Sequence, residues 1–161
     1  MSAEQQPEKV IILHSKRYGE LQVDLDEVIH FPRGIPGFER FKRYALFKSD
    51  EIEPFQWLIS IDQEELGFVI IPPHYFAPDY NPKLYESDLQ ELAVEPQDKL
   101  AIFAIVTLAQ NPTESTANLQ GPLIINVDKK LGKQVVIVDE DYSVKHPIVQ
   151  KKEKKAVAVK V

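Results

Sequence analysis

The chain has 161 residues, 43% hydrophobic and 27% charged, with a formal net charge of −6. That is one ordinary globular domain, and the absence of cysteine excludes disulfide scaffolds, thiolate zinc sites and cysteine nucleophiles. No apolar run approaches the ~20 residues of a bilayer span, and the polar opening MSAEQQPEKV does not read as a secretory signal, so a cytoplasmic protein is expected.

Twelve prolines and six glycines cut the chain into short pieces, most of them strand-like. Val10 to Leu13 is a β-branched apolar run. Glu20 to Leu25 alternates, with Leu21, Val23 and Leu25 on one face, and Val28 to Phe31 continues the pairing until Pro32. Arg33 to Phe41 (RGIPGFERF) demands a turn with special backbone angles. Phe38 and Phe41 then fall on a single helical turn, and Tyr44 to Lys48 returns to strand. Phe55 to Ile61 and Gly67 to Ile71 predict an antiparallel hairpin closed by Pro72-Pro73. His74 to Tyr85 is an aromatic-rich loop with room for an edge strand. Ser87 to Leu92 is the best helix candidate, with Ser87 and Gln90 at capping-box spacing.

Leu100 to Leu108 (LAIFAIVTL) has the length and β-branched content of a central strand buried on both faces. Leu123 to Val127 and Gln134 to Val138 form a second hairpin, with Leu131-Gly132 in the turn and Gly132 at positive φ. Asp139-Glu140-Asp141 then caps the last strand with charge. The sum is a mainly β fold, a small antiparallel β-barrel-like single domain over residues 1–149 with one or two short helices. Residues 150–161 form a basic tail, read as a flexible, frayed end.

Chemistry is scarce. There is no phosphate-cradling glycine loop and no G-x-S-x-G elbow. His14, His30, His74 and His146 have no metal-ligand spacing, and no cofactor is expected. Five lysines in the tail face Glu153 alone, a net +4, which leaves −10 on residues 1–149. A body of that sign repels phosphates and disfavours direct nucleic-acid binding. It suits a basic protein partner instead. Acidic residues gather at Asp24 to Glu27, Asp50 to Glu53, Asp62 to Glu65 and Asp139 to Asp141, all at strand ends or turns, where they could merge on one rim. Two other readings stay open: a small-ligand or enzymatic barrel with an apolar pocket, and a single-strand nucleic-acid binder.

A set of blocks resembles the FliW family of flagellar assembly factors. Phe31, Gly34, Ile35, Pro36, Gly37, Phe38, Glu39 and Phe41 resemble its early F-x-x-G-[IL]-P-G-F-E block. Phe55, Leu58, Ser60, Asp62, Phe68, Val69, Ile70 and Pro72 are similar to its central hairpin. Ile105 to Thr107, then Thr116 to Leu119, Pro122, Ile125 and Asn126, resemble its I-V-T and T-x-N-L-x-[AG]-P-[IL]-x-x-N blocks. Gln134 and the closing Tyr142 to Ile148 complete the likeness. The basic tail is not a feature of that family.

The resemblance implies a compact β-barrel-like fold without catalytic activity. It implies binding to flagellin, near the helical C-terminal segment of the unassembled subunit. In many members it also implies binding to CsrA, a small RNA-binding repressor of flagellin translation, through a partner switch. Candidate contacts for CsrA are the acidic Glu64, Glu65, Asp139, Glu140 and Asp141. Candidate contacts for flagellin are the aromatic Phe55, Trp57, Tyr75, Phe76 and Tyr80. Gly34, Pro36, Gly37, Phe38, Asn118 and Pro122 read as structural motif residues, with Asn118 bonding main-chain groups in its turn. A free monomer with no membrane association is expected.

Overall fold

The computed structural model describes residues 9–139 and 141–149; Glu140 and the lysine-rich tail lie outside them. In chain order the elements are β1 (Val10–Ser15), β2 (Gly19–Asp24), β3 (Ile29–His30), β4 (Arg43–Phe47), β5 (Gln56–Ser60), β6 (Gly67–Ile71), α1 (Glu86–Glu91), β7 (Leu100–Thr107), β8 (Thr116–Ala117), β9 (Leu123–Asn126), β10 (Leu131–Gln134) and β11 (His146–Pro147).

Seven of these strands close into a barrel in the order β3-β4-β5-β6-β7-β9-β10. The ring shuts through a parallel contact between Leu131 and His30. Its other neighbours pair antiparallel. Closure leaves the ring without a free edge to template aggregation. The long strand β7 is its pivot: one edge faces β6, while the other is shared between β9 along Leu100 to Phe103 and β8 at Val106 and Thr107. The apolar run expected to be central therefore is central, with Phe103, Ala104 and Val106 buried and only its ends exposed.

Alternation along the strands sorts the side chains. Tyr44, Leu58, Ile70, Phe103 and Ile125 point inward and fill the barrel with Ile29 and Phe31. The opposite faces are covered from three sides. The β1-β2 hairpin lays Leu13 and Val23 on Ala45 and Ile61. The segment after β6 packs Phe76 and Tyr80 on Ile71, Ala104 and Leu119. Leu92, at the end of α1, packs on Ile124, Val135 and Ile137. No helix among the described residues is long and apolar enough to cross a membrane.

Four local expectations are corrected. Helix α1 starts two residues before the expected Ser87-Gln90 box: Tyr85 is the N-cap residue, and its N–H donates to Asp88 Oδ2 at 3.1 Å. Asp88 wins because Lys133 Nζ holds its other oxygen at 2.6 Å. The 74–85 stretch forms no edge strand; it makes a single 3-10 turn at Pro73–Tyr75 and then runs irregularly, its prolines withholding ladder donors. In the second hairpin, Leu131 and Gly132 lie in strand β10 and the positive φ falls on Lys130, at 54°. Gly132 is required for another reason: a Cβ there would meet Phe31 Cζ at 2.5 Å. Finally, Gln134 to Val138 is extended but leaves the ladder after Gln134. Its neighbour Pro122 has no N–H to donate, and the Gln120 N–H is taken by Asn118.

Candidate functional site

The strand registers give the barrel two unlike ends. Tyr44 pairs with Ser60 at one end and Phe47 with Trp57 at the other. The loops 31–42 and 61–66 sit at the Tyr44 end, and the loop 48–55 at the Phe47 end. The acidic groups consequently do not merge. Asp24 to Glu27 and Asp50 to Glu53 belong to the Phe47 end, Asp62 to Glu65 to the Tyr44 end, and Asp139 and Asp141 to the chain that leaves β10.

The Tyr44 end is plugged. Phe31 is fully buried and meets the Tyr44 ring edge-on at 5.2 Å. The loop above it is shaped by the predicted motif. Gly34 has φ of 66° and would place a Cβ 2.6 Å from the Glu39 backbone, so no other residue fits there unstrained. Gly37 N–H donates to Glu39 Oε1 at 2.8 Å, which holds that carboxyl below its usual range. Pro36 is exposed at the tip of this turn, and Phe38 packs on Phe68 with its outer face open. Burial, with the Asp62 charge nearby, pushes the Tyr44 hydroxyl up to about 12.

The Phe47 end is open. A recess of about 560 Å³ enters the barrel there, walled by Ile29, Phe47, Phe103 and Ile125. Gln56 is one of the polar residues lining it, and its buried Oε1 has no hydrogen-bond partner among the described residues. Lys130 Nζ and Glu27 Oε2 pair at the rim, 3.1 Å apart. Beside the recess a polar network ties the β9-β10 turn down. Buried Asn126 donates through Nδ2 to Leu92 O at 2.9 Å and to Asp98 Oδ2 at 3.0 Å. Lys129 Nζ reaches the same oxygen at 2.8 Å. Lys129 first, then Asn126 and the Glu95 N–H, hold Asp98 down at about 2. Among the described residues no group of histidine and carboxylate side chains could hold a metal ion.

The predicted contact residues separate into available and occupied ones. Glu65 accepts the Lys16 N–H at 2.6 Å and the Arg17 N–H at 3.1 Å, one on each oxygen. It therefore anchors the β1-β2 hairpin and is not a free charge. Glu64 is partly exposed beside it, while Asp139 and Asp141 are exposed. Of the aromatics, Tyr75 is 68% exposed. Phe55 and Trp57 are partly buried, and the Tyr18 ring leans on Trp57 at 5.3 Å. Phe76 and Tyr80 are corrected to core residues: both are buried, and the Tyr80 hydroxyl donates to Leu119 O at 2.6 Å. Burial pushes that hydroxyl up. Asn118 Oδ1 accepts the N–H groups of Gln120 and Gly121, both at 3.0 Å, and the Pro122 carbonyl accepts the Val135 N–H. The sequence reading missed exposed Tyr85, Val136 and Val138; period-two alternation over 135–138 was the available signal.

Comparison with known proteins places the molecule. The family described as FliW protein matches residues 12–148. The flagellar assembly factor FliW of Alkaliphilus metalliredigens is 38% identical over 145 residues, covering 89% of this chain and 90% of that protein. The flagellar assembly factor FliW of Natranaerobius thermophilus is 40% identical over 135 residues, covering 83% of this chain and 89% of that one. A crystal structure of the flagellar assembly factor FliW superposes with a TM-score of 0.81 at 34% identity, covering 88% of this chain and 99% of that chain. A plugged, hairpin-braced barrel with matching sequence along nearly its whole length thus has one assignment: the chain belongs to the FliW family of flagellar assembly factors.

Proposed function

We propose that this protein acts in the cytoplasm by docking, binding unassembled flagellin and, when released from it, the translational repressor CsrA. Flagellin export then frees it to sequester CsrA, and flagellin synthesis resumes. It makes and breaks no bonds itself. The family match along residues 12–148 carries this reading. The charge supports the CsrA half: an RNA-binding protein presents a positive surface, and a protein of net charge −6 attracts it and sets negative potential beside its RNA path. For that contact Glu64, Asp139 and Asp141 are the available carboxylates, with Glu140 between the last two in sequence. For flagellin, Tyr75 offers its ring, together with the partly exposed Phe55 just before β5 and Trp57 within it.

The test is size-exclusion chromatography of the purified chain with flagellin and with CsrA from the same organism, at tens of micromolar. Co-elution with each, and displacement of CsrA by flagellin, is expected. Absence of any flagellin complex overturns the reading. Flagellin binding without CsrA binding reduces it to a dedicated flagellin chaperone. Asp139→Lys with Asp141→Lys should weaken CsrA binding and its salt dependence. Glu65→Lys is a poor probe, since it also releases the hairpin.

A further inference from the structure

The chain that leaves β10 forms a sheet edge occupied on one side only. Val135 N–H donates to Pro122 O at 2.9 Å and Ile137 N–H to Gln120 O at 2.8 Å. In an extended chain the intervening amides face the other way. The N–H groups of Val136 and Val138 accordingly have no acceptor among the described residues. Side chains alternate as well: Val135 and Ile137 are buried, whereas Val136 is 71% and Val138 85% exposed. Open donors flanked by solvent-facing β-branched residues are what natural sheet edges ordinarily avoid.

A cleft of about 460 Å³ runs beside this edge, with Lys83 and Tyr85 on one side and Val138, Asp139 and Asp141 on the other. Neither aspartate pairs with a cation among the described residues; Asp139 Oδ1 accepts the Asp141 N–H at 3.0 Å. Lys83 Nζ lies 5.8 Å from the Tyr85 ring centre, over its face. The two carboxylates decide what can fit. Pairing two copies edge to edge would bring their aspartates together on proteins already at −6. A basic segment meets the opposite field.

We propose that the 135–138 edge accepts an extended segment of a partner protein as an added strand, with β-branched residues opposite Val136 and Val138 and lysine or arginine beside Asp139 and Asp141. Main-chain bonds to the two free amides supply the attachment, and the aspartates select the charge. This surface stands whichever protein supplies the segment.

The test uses the full chain, labelled with nitrogen-15, and two capped hexapeptides, one alternating lysine with valine and one alternating glutamate with valine. The lysine peptide should slow hydrogen exchange at the Val136 and Val138 amides by about tenfold or more at saturation, and the glutamate peptide should not. Asp139→Lys with Asp141→Lys should reverse that preference without touching the ladder. Val136→Pro removes one outward donor that bonds nothing internally, so binding should fall while the melting temperature holds. If that variant unfolds, the charge-reversal pair still decides. Unchanged exchange at both amides with either peptide overturns the proposal, as does equal protection by both. A peptide-free dimer that protects the same amides also overturns it, in favour of self-pairing.

Discussion

The two ends of this barrel are held by different physics. At the Tyr44 end, Phe31, Ile35 and Tyr44 make a buried, largely apolar plug beneath a glycine-shaped loop. At the Phe47 end, the Asn126-Asp98-Lys129 network fixes the turn and leaves a recess beside it. Apolar packing is indifferent to pH and salt, whereas a carboxylate network is stable only while its carboxylate is ionised. The plug should therefore dominate the melting temperature, and the Asp98 network the acid limit, with Glu39 of the glycine loop adding a lesser share.

The largest effect should come from Phe31→Ala, which empties the plug and should cost about 3–5 kcal/mol in urea unfolding. A loss under about 1 kcal/mol would mean the plug is not what holds that end. Next is Gly132→Val, which drives methyl groups into the Phe31 ring. About 1–3 kcal/mol of overpacking cost is expected by the same measurement. At the open end the sign changes. Gln56→Leu removes a buried oxygen that bonds nothing among the described residues, and should be neutral or stabilise by about 1 kcal/mol. A clear loss would show that Oε1 has a partner in solution.

The smallest effect at neutral pH, and a distinct one in acid, belongs to Asp98. Its folded carboxyl sits near 2 against an ordinary value of 3.8. The unfolded chain therefore binds that proton first as pH falls. The stabilisation is complete above about pH 4 and disappears as pH drops toward 2. Lys129→Ala should raise the Asp98 value and flatten this acid limb, read from urea midpoints between about pH 5 and about pH 2. An unaltered limb would move the acid sensitivity elsewhere. None of these changes touches the 135–138 edge, so its peptide test can be read independently of them.

Most of the strands were legible beforehand. The runs at 20–25, 44–48, 55–61, 67–71 and 100–108 declare strands by alternation or β-branched content, because the pleat imposes its period on sequence directly. The G-I-P-G turn was legible for a similar reason: glycine adopts a left-handed backbone without strain. The second hairpin was legible in its first arm, Leu123 to Asn126, but not in its second. Gly132 looks like a turn residue, yet its absent side chain makes room for the ring of Phe31, just past β3 and about a hundred residues earlier. Nor could sequence show that Glu65 is spent on the Lys16 and Arg17 amides, or that Phe76 and Tyr80 face inward.

The sequence by itself determined the strand content, the glycine-proline turn and the negative balance of charge, since period, backbone angle and net charge are local or additive. Only the tertiary structure decided which carboxylates are free, which aromatics are buried and which sheet edge is left open. Those depend on what the closing of the ring brings alongside each residue, and closure joins segments about a hundred positions apart at Leu131 and His30.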